Sequence, residues 1–219
     1  MAVRVAINGF GRIGRLTFRQ MMERDSVEVV AINDIAPLDN LAYLLKYDSA
    51  LPDPKVSIQA DGDSLVYGDA TIPYTQVKDP GELPWGENDV EVAVEATGVF
   101  TDREDAEKHL DAGAKRVVIS ANSGGADLTI CMGVNHGKYN PDEHKIISNA
   151  SCTTNCLAPV AMVLNEEFGI VNGLLTTVHA VTSSQTVVDS PMKKRRRGRS
   201  ALAAIVPTTT GAAIATSRV

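Results

Sequence analysis

The stretch Val3 to Gly14 limits what this chain can fold into more than any other. Gly9, Gly11 and Gly14 stand in G-x-G-x-x-G spacing. A short apolar run, Val3 to Ile7, leads into them. A helical pattern follows, with Ile13, Leu16/Thr17, Gln20/Met21 and Arg24 on successive turns. A second apolar run, Val27 to Ile32, ends at Asn33-Asp34, twenty residues past Gly14. Strand, glycine turn, helix, strand and acid form the context of a dinucleotide-binding βαβ unit. Each part has a task. Gly9 permits the tight turn, Gly11 admits the pyrophosphate close to the backbone, and Gly14 lets helix and strand pack. The helix N-terminus offers free N–H groups to phosphate. Asp34 accepts bonds from ribose hydroxyls and repels a 2′-phosphate, which favours NAD over NADP.

The pattern continues as α/β. A helix is predicted over Asp39 to Tyr47. Short strands at Val56–Gln59, Leu65–Tyr67 and Thr71–Tyr74, punctuated by Asp61-Gly62-Asp63 and Gly68-Asp69, predict a small meander. Glu91 to Glu95 reads as a strand ending at Thr97-Gly98. Thr101-Asp102-Arg103-Glu104 reads as a capping box opening a helix that stops at Gly113. Arg116 to Ile119 ends at Ser120, and Asp127–Gly133 and Lys145–Ser148 supply further strands. In open parallel sheets ligands sit beyond the carboxyl ends of strands, where Thr97, Gly98 and Ser120 fall. The fold class is a Rossmann-type doubly wound domain over 1–149, followed by an incomplete α+β domain over 150–219.

That second part opens with Ser151-Cys152-Thr153-Thr154-Asn155-Cys156 and a helical pattern in Leu157, Val160/Ala161, Leu164 and Phe168, stopped by Gly169. Cys152 falls in the first turn, where the helix dipole favours a thiolate and thiol pKa values fall to roughly 3.5–7.5. A nucleophilic thiol needs a base or an imidazolium partner, and Cys–His is the recurrent solution. His179 is the one histidine set in a strong apolar strand pattern, Gly173 to Ala180. Cys156 with one histidine gives too few ligands for a closed zinc site, so no metal is expected. Ala201 to Val206 reads as another strand, and a helix starts near Thr208.

Net charge −6 argues against a chain built for nucleic acid or anionic membrane. The basic run Lys193 to Arg199 has no interleaved aromatics to stack bases. Three cysteines make no disulfide framework and point to a reducing, cytoplasmic setting. No stretch of eighteen apolar residues occurs.

Several motifs together resemble the phosphorylating glyceraldehyde-3-phosphate dehydrogenases: Ala6 to Arg15, Asn33-Asp34, Leu45 to Ser49, Glu95 to Phe100, Ala150 to Pro159, Thr176 to Ala180 and Pro207 to Ala213. The resemblance implies NAD as cofactor and glyceraldehyde 3-phosphate and inorganic phosphate as substrates. It implies a thioester on Cys152, with His179 as base. It also implies cofactor contacts from Arg12, Ile13, Asp34, Lys78 and Ser120. Ser151, Thr153, Thr210 and Gly211 would hold the attacking phosphate. Thr182 and an arginine of the basic loop, for which Arg196 is the nearest match, would hold the substrate's own phosphate. Relatives are usually homotetramers.

Lys78 stands where the family carries arginine before Asp-Pro, and Ser120-Ala121-Asn122 replaces a segment that usually holds proline. The last third of the family pattern is absent, so a fragment or truncation is expected, prone to aggregate and poor in turnover. The alternatives are an erythrose-4-phosphate dehydrogenase and a non-catalytic NAD-binding relative.

Overall fold

A computed structural model describes residues 1–219. Its contacts divide into two compact units, Met1–Cys152 (with Val219) and Thr153–Arg218.

The first unit is built on a nine-stranded sheet. Its strands are β1 Val3–Asn8, β2 Val27–Asn33, β3 Ile58–Asp61, β4 Ser64–Tyr67, β5 Ala70–Thr75, β6 Val92–Glu95, β7 Arg116–Ile119, β8 Leu128–Thr129 and β9 Ile146–Ser148. They lie in the order β3-β4-β5-β2-β1-β6-β7-β9-β8. Beyond the antiparallel meander β3-β4-β5, every pairing is parallel. The chain winds from β1 outward through β2, then restarts at β6 on the other side of β1. The switch point therefore lies between β1 and β6, where an open sheet leaves a crevice for a ligand.

Helices α1 Arg12–Met21, α2 Leu38–Lys46 and α3 Arg103–Asp111 cover the sheet. Phe10, Phe18, Ile7, Ile32 and Leu45 fill the core around α1 and α2. Phe18 meets Phe10 and Tyr67 edge-on, at centroid distances of 5.4 and 5.2 Å. Several local boundaries differ from the sequence pattern. α1 ends at Met21 rather than Arg24, and β3 starts at Ile58. β8 is two residues long, because Asn135 bonds the Thr129 carbonyl and the Cys131 N–H and turns the chain away. The cap of α3 is Asp102, without a side-chain cap hydrogen bond, so the reciprocal box at Thr101 does not form.

The second unit holds most of α4 Cys152–Phe168, a 3-10 turn at Arg195–Gly198 and the short α5 Ala212–Thr216. The strands predicted at 173–180 and 201–206 do not form, and residues 165–184 are exposed throughout. A strand needs a neighbour to receive its N–H and C=O groups, and β propensity alone does not hold one in water. Neither stretch joins a strand ladder, and Ala201 makes one isolated backbone bond, its N–H to the Thr186 carbonyl at 2.9 Å. The basic loop is held by its own hydrogen bonds. Ser190 N–H donates to the Gly198 carbonyl at 2.9 Å, and Ser200 N–H to Asp189 Oδ1 at 2.7 Å. No helix is long and apolar enough to cross a membrane.

Candidate functional site

At the switch point a cavity of about 370 Å3 opens over the ends of β1, β2 and β6. Gly9, Gly11, Asp34, Lys78 and Thr97 line it, together with Asn8, Asn33, Ile35 and Phe100. Two of the three glycines are required by what surrounds them, and the third borders open space. Gly9 has φ +91°, and a Cβ there would lie 2.5 Å from the Thr97 nitrogen. A Cβ on Gly14 would lie 2.0 Å from the Gly9 carbonyl oxygen, so α1 could not sit this close to the turn. A Cβ on Gly11 would meet nothing within 4 Å, so that backbone borders open space at the start of α1.

Asp34 ties the site together. Its Oδ2 accepts the Phe10 N–H at 2.6 Å and its Oδ1 the Ala36 N–H at 2.9 Å. Each oxygen bonded once keeps acceptor capacity for a hydroxyl. Backbone N–H groups, an acid and the Lys78 ammonium around one cleft fit a dinucleotide: phosphate at the helix end, ribose at the acid.

Arg12, Ile13, Gly98 and Ser120 do not line the cavity. The Arg12 guanidinium is hydrogen-bonded to Asp48. That bond holds the Asp48 carboxyl well below the usual carboxylate range, helped by the Ala50 and Leu51 N–H groups. Ile13, in the first turn of α1, is half exposed. Ser120 N–H donates to the Glu95 carbonyl at 2.9 Å, which fixes the end of β7 against β6.

Cys152 is the first residue of α4 and is exposed. Ser151 and Thr153 beside it are half-buried. The chain reaches Cys152 from β9 through Ala150, a buried non-glycine residue at φ +58°. Such a conformation costs about 1–3 kcal/mol and persists only where the surroundings impose it. Here the Ala150 N–H donates to Ser148 Oγ at 3.1 Å. His179 lies in the extended segment of the second unit, with Nδ1 2.7 Å from the Ala180 carbonyl oxygen.

Within the second unit a cavity of about 390 Å3 is lined by Lys194 to Arg197 and Pro207 to Thr209. Arg197 Nε donates to Thr208 Oγ1 at 3.2 Å, and its Nη1 to Ser184 Oγ. Ser184 Oγ lies 2.9 Å from Thr182 Oγ1. Thr182, the basic loop and the Thr208 segment are therefore brought together, with Arg197 at the centre. Arg196 lines the same cavity. Thr210 Oγ1 accepts the Ala212 N–H at 3.1 Å, and Gly211 caps α5.

Sequence reasoning missed Asn8, Asn33 and the pair Glu95–His109 as parts of the site's floor. A signal existed: each of Asn8, Asn33 and Glu95 is the polar residue that closes an apolar strand.

A doubly wound sheet with a glycine turn, an acid at the end of β2 and a cleft at the switch point defines a dinucleotide-binding α/β protein. The family model described as glyceraldehyde 3-phosphate dehydrogenase, NAD binding domain, matches residues 3–103, and the one described as its C-terminal domain matches 151–219. The chain is 53% identical over 219 residues to glyceraldehyde-3-phosphate dehydrogenase of Priestia megaterium, covering all of this chain and 65% of that one. The same figures hold for the enzyme of Geobacillus stearothermophilus. The enzyme of Streptomyces coelicolor is 51% identical over 220 residues, with 66% of its length covered. The chain belongs to the glyceraldehyde-3-phosphate dehydrogenase family, and it spans about two thirds of the length of these relatives.

Proposed function

We propose that this chain carries the cofactor site and the nucleophile of an enzyme that oxidises glyceraldehyde 3-phosphate, with NAD and inorganic phosphate, to 1,3-bisphosphoglycerate. We divide it into a cofactor domain, 1–149, and the first part of a catalytic domain, 150–219. The observation that carries the reading is topological. β1, β2, β6, β7 and β9 run parallel, so the glycine turn, Asp34, Thr97 and the segment leading to Cys152 all leave the same edge of the sheet.

Gly9, Gly11 and Gly14 form the turn that receives the pyrophosphate, and Asp34 takes the ribose hydroxyls. Lys78 and Thr97 line the same cavity, whereas Arg12, Ile13, Gly98 and Ser120 lie outside its lining. The family resemblance alone assigns Arg12, Ile13 and Ser120 to the cofactor, and Gly98 is assigned by its place beyond the end of β6. The Cys152 thiolate, favoured by the N-terminus of α4, adds to the aldehyde carbon. His179 takes the proton and then stabilises the developing oxygen. NAD, when bound, accepts the hydride. The resulting thioester on Cys152 is cleaved by phosphate held by Ser151, Thr153, Thr210 and Gly211. The substrate's own phosphate is taken by Thr182 and the basic loop. Arg197 is better placed than Arg196 for that task, because it already bonds Ser184 and Thr208. The setting is cytoplasmic, in keeping with three cysteines that form no disulfide, and the assembly a homotetramer.

One observation favours a second, non-catalytic outcome for residues 1–219. The segment carrying His179 is extended and exposed. NAD binding and alkylation of Cys152 then survive while turnover does not. NADH formation by purified 1–219, with glyceraldehyde 3-phosphate and phosphate, is expected to match that of its Cys152→Ser variant. Calorimetry is expected to show NAD binding. Absence of NAD binding would overturn the cofactor reading, and turnover near that of a full-length relative would overturn the second outcome.

A further inference from the structure

A run of buried hydrogen bonds lies beneath the nucleotide cavity and starts at the single tryptophan. Trp85 Nε1 is 2.9 Å from His109 Nδ1, and His109 Nε2 is 3.1 Å from Glu95 Oε2. The same Glu95 oxygen accepts Asn8 Nδ2 at 2.6 Å. The other oxygen accepts the Thr97 N–H at 2.8 Å and the Thr97 hydroxyl. Asn33 Nδ2 donates to Asn8 Oδ1 at 2.7 Å. Trp85, His109 and Glu95 are all within 1% of complete burial.

The indole N–H only donates. His109 Nδ1 therefore accepts, and the ring carries its proton on Nε2, pointed at Glu95. The opposite tautomer, or the doubly protonated ring, would set two N–H donors against each other in a dry core. Glu95 takes donors on both oxygens, the pattern of a carboxylate. It holds Thr97 where the Gly9 backbone packs against the Thr97 nitrogen. Asn8, Gly9 and Thr97 are cavity wall, and His109 is not.

We propose that His109 is a positioning residue of the dinucleotide site. Its Nε2–H orients Glu95, and Glu95 holds Asn8 and Thr97 against the glycine turn in the geometry that accepts the cofactor. The proposal rests on the nucleotide-binding reading above.

The test is calorimetric titration of 1–219, His109→Leu and His109→Gln with NAD, with melting temperatures measured alongside. A leucine removes the donor, whereas the glutamine amide restores an N–H near the Nε2 position. The leucine variant is expected to bind NAD about tenfold or more weakly and the glutamine variant within about threefold of the unmodified chain, on the scale of one hydrogen bond to a charged group. Lower melting temperatures with equal NAD affinities would mean a merely structural role and overturn the proposal. Failure of glutamine to rescue would overturn the role of the donated proton. If the unmodified chain bound no NAD, both readings would fall, whereas equal affinities leave the cofactor reading standing. Nitrogen NMR of the unmodified chain gives a measurement independent of variant folding. It is expected to find His109 as the Nε2–H tautomer, and an Nδ1–H or doubly protonated ring would overturn the proposal.

Discussion

The two units of this chain carry equally recognisable motifs and differ in how far those motifs are packed. In Met1–Cys152 the glycine turn sits over Ile7, Phe10, Phe18 and Ile32, all fully buried. In Thr153–Arg218 the only buried apolar residues are Ala158, Ala212 and Ala215. Phe168, Val171, Leu174, Val178, Leu202 and Ile205 are exposed there. A motif whose partners lie nearby in sequence, as in a βαβ unit, brings its own surroundings. A motif on a strand depends on whichever segment completes the sheet, and no stretch of the second unit does so.

The largest expected contrast is in hydrogen exchange. Amides of Ala6, Ile7 and Val94 lie in central strands and should open only with the whole unit, whereas amides from Leu174 to Val178 should be essentially unprotected. The gap should be several orders of magnitude in exchange rate by mass spectrometry. Comparable protection in the two stretches would break the comparison.

A glycine substitution sharpens it. Gly14→Ala forces a Cβ against the Gly9 carbonyl and is expected to cost about 1–3 kcal/mol, the scale of overpacking, and to weaken NAD binding. Gly173→Ala, with nothing within 4 Å of its Cβ, should stay within about 0.5 kcal/mol. Urea unfolding and calorimetry read both.

The smallest effect is electrostatic. Asp48 is depressed by Arg12, so its contribution to stability is present above the ordinary carboxylate value of about 3.9 and fades as pH falls through the depressed one. Asp48→Asn should lower the urea midpoint slightly at neutral pH, and the two midpoints should converge in acid. Asp189, 3.6 Å from Arg199 with both side chains exposed, should give no such difference when changed to Asn. Such exposed pairs contribute little.

Much of the first unit was legible because its signals are local. Apolar runs of the right length, the glycine spacing and Asp34 all lie within one βαβ stretch, and they place the cleft before any packing is known. The floor of the site was legible only as polar residues closing β1, β2 and β6, not as the contacts they make. Glu95 is drawn to Asn8 and His109 from distant positions in the chain, and no short-range pattern announces that meeting. Nor does an alanine announce a left-handed backbone, yet Ala150 takes one where the chain turns into the Cys152 helix. Arg196 and Arg197 stand in a run of like residues that carries no register, and both line the cavity of the second unit. The hydroxyls of Ser184 and Thr208 distinguish them.

The sequence by itself determined the doubly wound class of the first unit, its glycine turn and acid, and the helix that Cys152 opens. Each follows from backbone sterics and a hydrophobic period within a few turns of chain. Only the tertiary structure decided that 173–180 and 201–206 stay out of a sheet. It alone also decided that a buried Trp85–His109–Glu95 run underlies the cofactor cleft. A strand exists by virtue of its neighbour, and a buried polar side chain by virtue of its partners. Both are contacts between residues far apart in the chain, set when the fold closes.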